Sequence, residues 1–237
     1  MISQVKNLLT ASFIAAMFVL TSCETEDPGP LQEKEKDYSL VDFDRLEMGS
    51  AFHITVEQSN TFSIHIKGDR RNLDDLDVYK SGSTLIIKFE DNANRKHDTY
   101  ITIAMPTLVA VNFSGASVST IKGFESDSTL DFILSGASVC QLDAGYRKVN
   151  IDLSGASALR FYGLGDELEA TISGASTFSA FDYPVRKADI DVSGASHAKV
   201  TVSDELDATA SGASSILYRG NPSVTSSTNG SSTVEKD

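Results

Sequence analysis

Six copies of one phrase, Ser-Gly-Ala-Ser, constrain this chain more than any other feature. They begin at Ser114, Ser135, Ser154, Ser173, Ser193 and Ser211, spaced 21, 19, 19, 20 and 18 residues apart. A period near twenty is the mark of a solenoid, in which each repeat is one rung that buries its apolar face only by stacking on its neighbours.

Alignment on the phrase exposes the rung. In the five residues before each copy, the first, third and fifth are apolar throughout: Val109, Val111, Phe113; Leu130, Phe132, Leu134; Val149, Ile151, Leu153; Leu168, Ala170, Ile172; Ala188, Ile190, Val192; Leu206, Ala208, Ala210. The second and fourth are polar except at Ala110 and Ile133. Period-two alternation of this kind predicts a strand with one buried face. A second strand follows each phrase, with Cys140 and Leu142, Leu159 and Phe161, Phe178 and Ala180, Ala198 and Val200, and Ile216 and Tyr218 inward. The phrase itself must then turn the corner. Its glycines (Gly115, Gly136, Gly155, Gly174, Gly194 and Gly212) supply positive φ without a Cβ penalty, and its serines bond to one another or to backbone.

Three further readings follow from this register. The stretch Val224–Ser232 repeats the frame with Val, Ser and Thr at inward positions, so it predicts a polar cap rung and a rod of about seven rungs, roughly 30 Å long at ~4.8 Å per strand. The inward column shrinks to Ala210 at the last full rung, which leaves space for Tyr218. Glu169, Asp189 and Asp207 fall on successive rungs of one outward column, with Asp152 and Asp191 in the next, so the column is either a solvated acidic face or a weak divalent-cation site.

Upstream, His53–Glu57 and Phe62–Lys67 alternate around a polar break and read as a hairpin; Leu85–Phe89 and Tyr100–Ala104 read as two more strands. An antiparallel region over 38–108 is expected to precede the solenoid of 109–237. Residues 1–22 carry Lys6, then an apolar run from Leu8 to Leu20, the order of an export signal. Leu20-Thr21-Ser22-Cys23 resembles a bacterial lipobox, which implies lipidation at Cys23. Residues 23–37, rich in Glu, Asp and Pro, are expected to form an acidic flexible tether. The expected location is the outer membrane, on its surface or periplasmic face, with the membrane engaged through the lipid.

The formal net charge of −13 argues against nucleic acid as a partner. No P-loop, dinucleotide fingerprint or zinc signature is present, and Gly-Ala-Ser is never completed to Gly-x-Ser-x-Gly. The four histidines are scattered, and His53 and His65 alternate toward solvent. Cys140 sits on an inward column as a small buried hydrophobe. Tyr146, Tyr162 and Tyr183, near the return loops, are the candidate stacking surfaces for sugars. No enzyme activity and no cofactor is expected.

The lead-in Ile101-Thr102-Ile103-Ala104-Met105-Pro106-Thr107-Leu108 and the recurrent Ser-Gly-Ala-Ser resemble the head GIN domain family of auto-transporter adhesin-like Bacteroidetes lipoproteins, a domain of unknown function, from about Phe43 onward. The resemblance implies an extracytoplasmic β-helical domain and an adhesive role, and it supplies no catalytic residues. The expectation is therefore all-β: a right-handed parallel β-helix or solenoid, handedness following the crossover rule, preceded by antiparallel strands. Its function would be a non-catalytic adhesion or interaction module binding a protein or glycan. The alternatives are a self-assembling envelope scaffold, with homo-oligomers, and, last, a polysaccharide-active enzyme.

Overall fold

The computed structural model describes residues 29–91, 93 and 95–237. The signal segment, Cys23 and the first part of the tether lie outside the described residues.

In the N-terminal part the elements are β1 (Glu33–Tyr38), β2 (Arg45–Met48), β3 (Phe52–Gln58), β4 (Ser63–Asp69), the short α1 (Arg70–Asp74), β5 (Leu76–Ser81), β6 (Thr84–Phe89) and β7 (Thr99–Met105). The repeats give β8 (Ala110–Phe113), β9 (Val118–Leu134), β10 (Val139–Leu153), β11 (Ala158–Tyr162), β12 (Gly165–Ile172), β13 (Thr177–Val192), β14 (His197–Gly212), β15 (Ser215–Arg219), β16 (Ser223–Gly230) and β17 (Thr233–Lys236). Together they form a parallel β-solenoid with antiparallel strands at one end. Segments that precede each corner form a leading sheet, in the spatial order β5, β6, β2, β8, then the second half of β9, and so on to β16. Segments that follow form a trailing sheet, from β1, β4, β7 and β3 to β17.

The alternation in the sequence is the alternation of burial. Of the eighteen inward residues before the corners, all but the half-buried Val109 are buried, so the phrase-centred register is the physical one. Each corner glycine has φ between +76° and +81°. The amide of the Ala that follows donates to the glycine carbonyl of the rung below at 2.7–2.8 Å, as in Ala137 to Gly115 and Ala213 to Gly194. The second serine of every phrase is buried, and Ser117 Oγ donates to Ser138 Oγ at 3.0 Å. The corners are thus a backbone stack with a serine seam beneath it.

On the return side the rung is wider and aromatics fill it. Tyr183 is fully buried, stacks on Phe161 at 3.7 Å between ring centroids, and donates to the Tyr146 carbonyl at 3.1 Å. Tyr146, also buried, donates to the Leu108 carbonyl at 2.6 Å. Burial pushes the Tyr183 phenol up to about 12. This corrects the expectation that Tyr146 and Tyr183 offer surfaces to sugars, for both rings are core; Tyr162 is half-buried. The cap rung forms as expected: β16 stacks on β14, β17 on β15, and Gly230 turns at φ +79°. Tyr218 is half-buried against the core.

Two expectations for the N-terminal part fail. The stretches around His53 and His65 are not a hairpin, because β7 lies between them, parallel to β3 and antiparallel to β4. Nor is the tether flexible up to residue 37. Glu33–Tyr38 is β1, paired antiparallel with β4, with Lys67 Nζ at 3.1 Å from Glu33 and His65 Nδ1 at 2.8 Å from Asp37. Cross-strand opposite charges stabilise what composition alone marks as solvated chain. The antiparallel strands are β1, β4 and β5, whereas β2–β3 and β6–β7 extend the parallel stack.

Candidate functional site

The outward side chains of the leading sheet form two columns. One runs Arg45, Ala110, Asp131, Asn150, Glu169, Asp189, Asp207; the other Glu47, Asn112, Ile133, Asp152, Thr171, Asp191, Thr209. Ala110 and Ile133, the two residues that break the polar rule, therefore sit on adjacent rungs of one face. Ala110 on β8 is the shortest side chain of its column, set between Arg45 on β2 and Asp131 on β9. The result is a trough of about 460 Å³, lined among others by Arg45, Glu47, Ala110, Asp131, Ile133 and Asp152. Ile133 is 41% exposed on its wall.

Polar groups around the trough are incompletely matched. Asn150 Nδ2 donates to Asp131 Oδ1 at 2.8 Å, and Asn150 Oδ1, shielded from solvent, accepts no hydrogen bond. Glu47 and Asp152 have no ion-pair partner among the described residues. Concave shape, an apolar wall and unspent acceptors are the attributes of a binding surface.

Glu169, Asp189 and Asp207 do lie in register on neighbouring strands. They do not close a metal centre: among the described residues no group of three or more His, Cys, Asp or Glu side chains is arranged to hold an ion. Interleaved lysines already answer part of the charge, with Lys148 Nζ 3.0 Å from Glu169 and Lys187 Nζ 2.6 Å from Glu205. Partial desolvation, then repulsion from Asp207 and Glu169, raises the Asp189 carboxyl above its usual range.

Cys140 is 1% exposed and burial pushes its thiol up to about 12, which suits packing and opposes nucleophilic use. Among the described residues an imidazole meets a hydroxyl at His197 Nδ1 and Ser215 Oγ, 2.7 Å apart. The two are cross-strand neighbours on the exposed trailing sheet, and the backbone amides around them serve the strand ladder, so no oxyanion pocket accompanies the pair. Missed by the sequence reading was the trough itself; its signal was present in Ala110 and Ile133, passed over as exceptions.

Fold and surface define a parallel β-solenoid that displays a shaped outer face. The chain belongs to the family described as "Putative auto-transporter adhesin, head GIN domain", which it matches over residues 42–222. Among solved structures it is similar to a protein described as a putative adhesin from Bacteroides fragilis (21% identity, TM-score 0.78, covering 87% of this chain and 97% of that one). It is also similar to one so described from Parabacteroides distasonis (19%, 0.71, 88% and 98%). A third, from the same species, is described as a putative lipid binding protein (17%, 0.68, 86% and 96%). No curated protein matches. At these identities the likeness is one of fold, and a fold shared by differently described proteins leaves the ligand to the site.

Proposed function

We propose that this chain is a lipid-anchored protein of the cell envelope, held at Cys23, that acts as a non-catalytic adhesion module with the leading-sheet trough as its contact surface. The observation that carries this reading is the trough. On a leading-sheet face otherwise built from charged, amide and hydroxyl side chains, the outward Ala110 and Ile133 coincide with a concavity of about 460 Å³. An apolar side chain set in a concavity among polar groups has the make-up of a contact surface. The family description is consistent with adhesion.

One experiment tests anchor and surface together. Full-length protein from membranes is partitioned in detergent and then presented to a glycan and matrix-protein array. Cys23→Ala is expected to move the protein to the aqueous phase with array binding retained. Ile133→Glu is expected to stay in the detergent phase and lose the array signal. Unchanged partitioning of Cys23→Ala defeats the anchor, and an unchanged array signal for Ile133→Glu defeats the trough.

A further inference from the structure

Resting on that reading, the geometry points to one class of occupant: we infer that the trough binds an extended, cationic peptide segment of a partner protein, with basic side chains on either side of an apolar one. Charge complementarity selects the sign. Glu47, Asp131, Asp152 and Glu169 line the trough against a single lining cation, Arg45. Glu169 already has Lys148 at 3.0 Å, and Asp131 receives the Asn150 amide at 2.8 Å. Among the described residues Glu47 and Asp152 have neither an ion pair nor a side-chain hydrogen bond. They are the two carboxylates that an incoming cation neutralises without displacing a partner. An anionic segment meets this face at a cost, and a net charge of −13 steers cations toward it from a distance.

Length selects a peptide over a small amine. From β2 to β12 the trough crosses five strands, four spacings of ~4.8 Å, or ~19 Å, which matches about six residues of extended chain at ~3.3 Å each. Glu47 and Asp152 lie three spacings apart, ~14 Å, which is close to the distance between residues i and i+4 of an extended strand. Ile133 stands between them in the same column. Residues i, i+2 and i+4 of a strand project to one side. A segment of the pattern basic–x–apolar–x–basic thus places its cations on Glu47 and Asp152 and its apolar side chain on Ile133 and Ala110.

The test uses full-length protein in detergent and three fluorescein-labelled peptides, Lys-Thr-Val-Thr-Lys, Glu-Thr-Val-Thr-Glu and Ser-Thr-Val-Thr-Ser, read by fluorescence anisotropy. The lysine peptide is expected to bind, the serine peptide to bind at least ~tenfold more weakly, and the glutamate peptide not at all. Binding of the lysine peptide should fall as salt rises from 50 to 500 mM, and the Glu47→Gln, Asp152→Asn double variant, which leaves Ile133 in place, should weaken it ~tenfold. Equal binding of the lysine and glutamate peptides, no binding of either, or an unchanged affinity in the double variant overturns the cationic assignment. Those results leave the trough standing if Ile133→Glu still abolishes the array signal. Retention of that signal removes the trough reading itself, so the two failures are told apart.

Discussion

Two kinds of corner turn this rod, and they differ in one neighbour. At the repeat corners, glycine holds φ of +76° to +81° and points its missing Cβ at the carbonyl of the rung below. A Cβ on Gly155 would lie 2.4 Å from the Gly136 oxygen, and one on Gly136 would lie 2.3 Å from that of Gly115. The rung of β2 and β3 turns through Gly49-Ser50-Ala51, with Ser50 in register with the glycines at φ +84°. Beneath Ser50, among the described residues, lies a space of about 310 Å³ lined by Ser50, Ala51, Phe89, Arg95 and others. The left-handed conformation is common to both corners, whereas the exclusion of a side chain belongs to the stack. Repetition is what makes glycine obligatory.

The sharpest way to break this comparison is to place the same methyl group at both corners. Gly155→Ala incurs the left-handed penalty of ~1–2 kcal/mol and must also push the Gly136 carbonyl aside, a strain of ~1–3 kcal/mol, for a total near 3 kcal/mol. Thermal unfolding should fall by about 6–12 °C for a chain of this size. Ser50→Ala keeps the conformation and meets open space, so it should change stability by less than ~0.5 kcal/mol. A loss at Gly155→Ala no larger than the ~1–2 kcal/mol left-handed penalty would mean that backbone conformation, and not the stacked carbonyl, sets the requirement.

A second contrast lies in how the two ends of the rod are fastened. Stacked backbone fastens the repeats, whereas side-chain pairs fasten the antiparallel end. Asp69 is buried there at 1% exposure and accepts from the Arg71 amide at 2.9 Å, the Arg71 guanidinium at 2.7 Å and the Gln32 amide at 2.9 Å. The Arg71 hydrogen bonds hold its carboxyl well below the usual range, against the opposing effect of burial. A depressed folded-state value stabilises the protein above the unfolded value near 4, and that stability is lost as pH falls through the folded value. Hydrogen exchange in β1 and β4 should therefore accelerate below about pH 4, before exchange in β10 and β13 does. Asp69→Asn should cost ~1.5–3 kcal/mol at pH 7 and remove most of that acid dependence. An unaltered pH profile in the variant would assign the acid response elsewhere.

These contrasts also mark where the sequence was legible. The inward columns, the corner glycines, the buried Cys140 and the polar cap were all readable, because a repeat supplies six aligned measurements of one environment. The threading of β2 between β6 and β8, and of β3 between β7 and β9, was not. Alternation at Ile54 and Val56 says that a strand faces a core, and it is silent on which strand lies beside it. The corner at Gly49-Ser50-Ala51 carried a fainter signal, small residues between Leu46 and Met48 on one side and Ile54 and Val56 on the other, and one unrepeated copy has nothing to align with. β1 was hidden for a different reason. Glu33-Lys34-Glu35-Lys36-Asp37 has the composition of solvated chain, and only Lys67 and His65 on β4 turn it into a strand. Tyr183 was misplaced because Pro184 beside it reads as a loop, yet its ring fills the wide side of the rung against Phe161.

The smallest effect is the most discriminating. If Ser50 pays only the left-handed conformational penalty, then Ser50→Gly should return most of ~1–2 kcal/mol, less the extra backbone freedom that glycine gives the unfolded chain, for a net gain near 0.5–1 kcal/mol. The unfolding midpoint should rise by about 1–4 °C. The sign is the informative part. The Ser-Gly-Ala-Ser corners offer no stabilising substitution of this kind, since each already holds glycine. A loss on Ser50→Gly would show that the serine side chain does work in the space beside Phe89 and Arg95 that outweighs its strain, and the two corners would then differ in function as well as in packing.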